Sequence, residues 1–300
     1  MQFTKMHGAG NDYVYVNCFE EDLRGTDVAE LAKAVSDRHF GIGSDGLILV
    51  EPSHIADFRM RTFNPDGSEA EMCGNGMRCF AKYVYERGLT AKTKLTVETR
   101  AGIVEPKLFV RGRRVARVRV DMGAPRLTRA EVPMRVKGKP GSDRVIEEPL
   151  RVAGKRVTVT CLSMGNPHCV LFVKHAETAP VETLGPAIEH HSAFPQRVNV
   201  AFVEVRDEGN IALRVWERGV GETLACGTGT CAAVVACNLT GRTGREVTAR
   251  LLGGELQVQW AGNDHVLLTG PAEEVYSGEF DEKTIIAAQA GRAASSEARG

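Results

Sequence analysis

The stretch "NPDGSEAEMCGNGMRCFAKYVYERG", Asn64 to Gly88, places Cys73 between a turn and a helical pattern and follows it with two glycines. A second stretch, "ERGVGETLACGTGTCAAVVACNLTG" from Glu217 to Gly241, repeats the arrangement around Cys226. A cysteine immediately before a helix lies where unpaired backbone N–H groups and the helix dipole favour negative charge, by about 0.3–1 kcal/mol at exposed sites. One pKa unit is about 1.4 kcal/mol, so helix-end placement predicts thiols shifted down from ~8.5 toward neutrality, each fit to act as a general base. The glycines of "CGNG" and "CGTG" let backbone amides approach a ligand closely, so the same helix ends suit a carboxylate. Two such ends aimed at one carboxylate would leave the adjoining carbon with a sulfur on each face. That geometry removes a proton on one side and returns one on the other, inverting a stereocentre.

The two stretches belong to a larger repeat. Cys226 lies 153 residues after Cys73, and the same offset carries Asn64 onto Glu217 and Gly46 onto Asn199. A duplication on this scale predicts two similar domains facing each other rather than a solenoid, and a cleft between them is the natural place for a ligand. A two-thiol redox switch is the rival reading. It would favour a resolving cysteine close to an exposed reactive one, whereas Cys79, six residues past Cys73, falls on the far side of the helix and reads as core.

The 300 residues are comfortable for two domains, with 43% hydrophobic and 25% charged residues. Lys plus Arg and Asp plus Glu are each 38, so no bulk field attracts nucleic acid or an anionic membrane. No apolar run approaches the roughly 20 residues of a membrane helix, and the start "MQFTKMHGAGND" lacks signal-peptide regions; the expectation is a cytoplasmic protein with a small-molecule substrate. The eight cysteines form no dense disulfide framework and contain no C-x-x-C pair, so no metal site is expected. Cys18, Cys161, Cys169 and Cys237 sit among apolar residues and read as core. No phosphate loop or dinucleotide fingerprint occurs, because "GAGNDY" and "FGIGSDG" have the glycines without the spacing.

These thiols must be positioned by mixed α and β structure. Short β-branched runs, "YVYVNCF", "LILVE" and "KLTVET", alternate with helical patterns at Val28 to Arg38 and Asn75 to Arg87. The second half repeats the grammar with "RVTVTCLSMGNPHCVLFV", "VNVAFVEV", "IALRVWE", a helix from Gly227 to about Leu239, and the runs "EVTARLLGGELQVQW" and "HVLLTGPAEEVY". The segment "LTRAEVPMRVKGKPGSDRVIEE" is polar and proline-bearing and reads as a connection, and the last twenty residues read as a frayed tail.

At these residues the sequence resembles the diaminopimelate epimerases, amino-acid epimerases that work without pyridoxal phosphate. Their signature, Asn-x-Asp-Gly-Ser, four residues, then Cys-Gly-Asn-Gly-x-Arg, is met in full from Asn64 to Arg78, and "KMHGAGNDY", "DRHFGIGSDG", "SMGNPHCV", "FPQRVNVAF" and "WERGVGETLACGTGTCA" are similar to further blocks of that family. The likeness runs from about residue 2 to residue 278. It implies an α+β fold of two pseudo-symmetric domains, each a mostly antiparallel sheet curled around a central helix, with the active site in the cleft between them. The implied boundaries are 1–122 plus a returning strand at 272–280, then 123–271, and a flexible tail at 281–300.

The resemblance also implies a reaction, the interconversion of LL- and meso-2,6-diaminoheptanedioate for lysine and peptidoglycan precursors, with no cofactor and a homodimeric enzyme. Cys73 and Cys226 match the two acid/base thiols. Gly74, Asn75, Gly227 and Thr228 match the groups that hold the carboxylate on the reacting carbon, and Asn11 and Glu217 match groups near the reacting ammonium. Asn64, Asn166, Asn199 and Arg218 match a clamp for the distal amino-acid end, a role that suits the planar donors of Arg218. His168 reads either as a modulator of thiol protonation, a role Glu217 shares, or as a structural turn histidine. Some members carry Gln where this chain has Gly46, which leaves that side chain's role near the ammonium to water or a neighbour. A proline or hydroxyproline racemase is the alternative within the same fold, and it would need an apolar pocket in place of the Arg218 and asparagine clamp.

Overall fold

The computed structural model describes residues 1–297, and side chains through residue 289. The chain forms two compact units, residues 1–120 with those from Pro271 onward, and Asp121–Gly270. Both are sheet-rich, with five helices in all among the described residues.

The first unit opens with β1 (Gln2–Gly8) and β2 (Asn11–Asn17), passes through α1 (Val28–Ser36), and continues with β3 (Leu47–Glu51), β4 (Phe58–Phe63), β5 (Glu69–Ala70), α2 (Gly74–Glu86), β6 (Val97–Thr99), β7 (Gly102–Val104), β8 (Lys107–Arg111) and β9 (Arg114–Asp121). Asp27 caps α1 by accepting from the Ala29 and Glu30 amides. Leu31, Ala32 and Val35 of α1 then recur on one face and pack on Val14, Val16, Leu47 and Leu49. Those valines occupy the even positions of β2. The odd positions turn to the opposite face, where Tyr15 Oη donates to the Gly76 carbonyl of α2 at 2.9 Å. The central strands are therefore covered on both faces, α1 on one and α2 on the other, which explains why "YVYV" and "LILV" show no polar alternation.

The second unit holds β10 (Val145–Val152), β11 (Lys155–Ser163), β12 (Pro167–Phe172), α3 (Val181–Glu189), β13 (Asn199–Asp207), β14 (Asn210–Glu217), β15 (Gly221–Thr223), α4 (Gly227–Leu239), β16 (Glu246–Leu251), β17 (Gly254–Trp260) and β18 (Val266–Gly270). Its strands run in the order β10-β11-β12-β13-β14-β16-β17-β18 and curl around α4, which packs on β11, β12, β13, β16, β17 and β18. The helix allows this because "GTGTCAAVVACNL" is small and apolar on every side. The chain then returns to the first unit as β19 (Glu273–Glu279), antiparallel to β1, giving the order β19-β1-β2-β3-β4-β6-β7.

The duplication is visible in strand register. Leu47 faces Phe63 across β3 and β4, and Val200 faces Trp216 across β13 and β14, each number raised by 153. Thr62 with Ala70 and Val215 with Thr223 keep the same offset, as do both ends of α2 and α4. Both sheets are mostly antiparallel, and their parallel pairs fall at matching places, β2-β3 with β4-β6 in one unit and β12-β13 with β14-β16 in the other.

Three segments differ from the sequence reading. The supposed connection at 127–148 is tied down: Val132, Met134 and Val145 are buried in one core cluster, and the buried Arg129 pairs with Glu148. Helix α3 has no counterpart in that reading, because Gly185 and Pro186 inside it interrupt its helical pattern. Where a frayed tail is expected, helix α5 (Glu282–Glu297) starts at Asp281, which accepts from the Thr284 amide at 2.7 Å, and its Ile285 and Ile286 pack on the α1 core cluster.

Candidate active site

Each thiol caps a helix. Cys73 has extended backbone at the start of α2, and its Sγ accepts from the Gly76 amide at 3.3 Å; Cys226 stands in the same conformation before α4 and accepts from the Gly229 amide at 3.4 Å. A Cβ at Gly229 would lie 3.2 Å from Cys226 Sγ, and one at Gly76 would lie 2.6 Å from Ile48 Cδ1 and 3.6 Å from Cys73 Sγ. Cys73 is partly exposed and Cys226 is buried.

Around Cys73 the partners are neutral donors and amides. Tyr13 Oη donates to Sγ at 3.3 Å, and the thiol in turn faces Asn11 Oδ1 at 3.6 Å. Asn11 also accepts from Asn75 Nδ2 at 3.1 Å and donates to Asp45 at 2.7 Å. Arg38 fixes Asp45 and Asp12 at 2.8 Å each, and the buried Arg78 holds Asn75 Oδ1 at 2.8 Å and the Pro271 carbonyl at 3.0 Å. Asn64, in the turn after β4, donates to Ser68 Oγ at 2.9 Å.

The Cys226 end is built from different side chains. Thr228 Oγ1 lies 3.6 Å from Sγ, and Glu217, at the end of β14, is held by the Thr223 hydroxyl at 2.5 Å. His168 is fully buried on β12, its Nε2 2.9 Å from Asn166 Oδ1 and its Nδ1 without a hydrogen-bond partner among the described residues. Asn199 donates to the Pro167 carbonyl and accepts from the Arg218 amide, both at 2.9 Å. Arg218 Nη1 donates to the Gln196 carbonyl at 3.0 Å, while the buried Glu189 accepts from Gly219 N at 2.9 Å and Trp216 Nε1 at 2.7 Å, bracing the turn that carries Arg218. Thus Asn11, Asn75 and Gly74 gather at Cys73, and Glu217, Gly227 and Thr228 at Cys226, with Asn166, Asn199, His168 and Arg218 forming one bonded and electrostatically linked group in the second unit.

The ionisation expectation needs correction. Burial pushes the Cys73 thiol up, against the Tyr13 hydroxyl, the Gly76 and Asn75 amides and the Arg78 charge, all of which pull it down. Burial and then the Glu217 carboxylate push Cys226 well above the ordinary thiol value, against Thr228 and the Gly229 amide. Helix-end stabilisation of up to ~2 kcal/mol is smaller than desolvation, which shifts fully buried groups by up to about 3–5 units. Burial, then the Arg218 charge, lowers His168 to about 3, so its ring is neutral at neutral pH. Of the cysteines read as core, Cys79, Cys161, Cys169 and Cys237 are buried, but Cys18 keeps a partly exposed surface. Tyr13, Asp45 and Thr223 are site-supporting residues the sequence reading missed. The strand period could have found Tyr13, since it shares a face with Asn11.

Two units, each packing a thiol-capped helix against a sheet of matched register, define the fold of this chain. Solved structures share it: a phenazine biosynthesis protein of the PhzF family from Bacillus anthracis has a TM-score of 0.67 at 18% identity, covering 94% of this chain and 99% of that one. A probable proline racemase from Agrobacterium radiobacter K84 has a TM-score of 0.67 at 16% identity, covering 93% and 92%. Within that fold, the sequence model described as diaminopimelate epimerase matches residues 3–128 and 160–275. A diaminopimelate epimerase of Moorella thermoacetica is 57% identical over 281 residues, 93% of this chain and 99% of that protein. The chain belongs to the diaminopimelate epimerase family, and is an isomerase. Among the described residues no helix is long and apolar enough to cross a membrane.

Proposed function

We propose that this chain interconverts LL- and meso-2,6-diaminoheptanedioate by two-base proton transfer, with Cys73 and Cys226 serving opposite faces of one α-carbon. The observation that carries the reading is the matched pair of thiol N-caps at equal register in two duplicated units. In the reaction one sulfur, as thiolate, takes the α-proton, and the other, as thiol, delivers its own to the opposite face. The helix-end groups at Gly74, Asn75, Gly227 and Thr228 suit the carboxylate on the reacting carbon. Asn11 and Glu217 suit its ammonium, and Asn64, Asn166, Asn199 and Arg218 suit the distal amino-acid end. Raised thiol pKa values fit this division of labour: one sulfur must keep its proton in order to donate it. The reading includes a cytoplasmic homodimer.

The test is incubation of purified, reduced protein with LL-diaminopimelate and, in parallel, with L-proline, followed by chiral separation. Meso product from the first and no D-proline from the second is expected. Racemised proline with unchanged diaminopimelate would replace this reading with the proline racemase alternative.

A further inference from the structure

We infer that Tyr13 is a positioning residue for Cys73, holding and stabilising its thiolate through the phenol O–H. The inference rests on the acid/base reading of Cys73. Strand β2 presents Asn11, Tyr13 and Tyr15 to the α2 face, so the backbone fixes where the phenol points. Its hydroxyl lies 3.3 Å from Sγ with the ring itself buried. Both protonation states of the sulfur are then satisfied. The thiolate accepts from Tyr13 Oη and the Gly76 amide; the thiol keeps those two donors and points its own proton at Asn11 Oδ1. The phenol stays a donor, because burial and the neighbouring sulfur push its own ionisation well above the ordinary range.

Gly46 supplies an independent observation. Its φ of +152° disfavours any side chain, and a Cβ there would lie 3.0 Å from Tyr13 Cε1 and 2.2 Å from the Phe63 carbonyl oxygen. The Phe63 carbonyl and the backbone conformation keep position 46 free of a side chain, and the tyrosine ring lies in contact with it. In the second unit the arrangement is reversed. His168 precedes Cys169, whose partner is Val200, as Tyr13 precedes Val14, whose partner is Leu47. There Asn199 stands where the first unit has Gly46, and the ring bonds Asn166 instead of donating a hydroxyl.

Peptide-resolved alkylation with iodoacetamide as a function of pH tests this without requiring turnover. Tyr13→Phe keeps the ring and removes only the hydroxyl, so the Cys73 midpoint is expected to rise by about one pH unit, the scale of a hydrogen bond to a charged group. Tyr15→Phe removes the neighbouring hydroxyl, which bonds a carbonyl and not the sulfur, and should leave that midpoint in place. An unmoved midpoint in Tyr13→Phe, or an equal rise in Tyr15→Phe, overturns the inference. Epimerase activity accompanied by an unmoved midpoint overturns the role of Tyr13 alone. A shifted midpoint in a protein that epimerises nothing would sustain that role and overturn the substrate reading.

Discussion

The two thiol-bearing helix ends share a backbone and differ in almost every side chain around the sulfur. Cys73 is surrounded by a phenol, two asparagines and amides, with Arg78 behind them; Cys226 has a threonine and a carboxylate. Tyr13 and His168 occupy matching strand positions, yet one donates to a sulfur and the other is a buried neutral imidazole bonded to an asparagine. Duplication has kept what makes an N-cap, namely extended cysteine, glycine three residues on, and a strand register that aims β-strand side chains at the helix mouth. The proton affinity of each sulfur is set by what lies beside it. A symmetric scaffold thus carries two sulfurs of unequal acidity, and Cys73, less strongly raised and partly exposed, should react with an alkylating agent at lower pH than Cys226.

That contrast can be broken from either side. The largest effect should come from His168. Its folded-state pKa lies below the unfolded value, so stability is retained above about pH 6.5 and lost as pH falls toward about 3, at about 1.4 kcal/mol per pH unit. Urea unfolding at about pH 7 and about pH 5 should show wild type losing about 2 kcal/mol more than His168→Gln between the two conditions. Equal losses would place the imidazole in solvent. Glu217→Gln should have a smaller and opposite kind of effect. Removing the carboxylate that raises Cys226 should lower that thiol's alkylation midpoint by about one pH unit while the Cys73 midpoint stays put. A Cys226 midpoint that fails to move would remove Glu217 from control of that sulfur.

Much of this asymmetry was hidden in the sequence, while the scaffold was open to view. The offset of 153 between the cysteines and the end of the second helix at Leu239 could be read directly, because small and β-branched runs between glycine-bearing turns have few other solutions. The segment before β10 could not. Its burial depends on Arg129 meeting Glu148, a pairing between residues nineteen apart that no local pattern reveals. Helix α3 was obscured by its own Gly185 and Pro186. At the site, a helix end argues for an acidified thiol, and only the fold shows Cys226 buried with Glu217 acting on it. Gly46 reads in the sequence only as a missing side chain, and only the fold shows the Phe63 carbonyl and the Tyr13 ring packed against it.

The central claim is that each thiol serves one face of one carbon. It is tested most directly by replacing Cys73 and Cys226 singly with Ala and following α-hydrogen exchange in deuterated water, with NMR and chiral separation of LL- and meso-diaminopimelate. Epimerisation should fall by roughly 10²–10⁴-fold in each variant. The exchange that survives should be stereospecific, one variant labelling the LL isomer without inverting it and the other labelling the meso isomer. Near wild-type epimerisation in either variant, or equal labelling of both isomers by each, would contradict the two-base account and the pairing of Cys73 with Cys226.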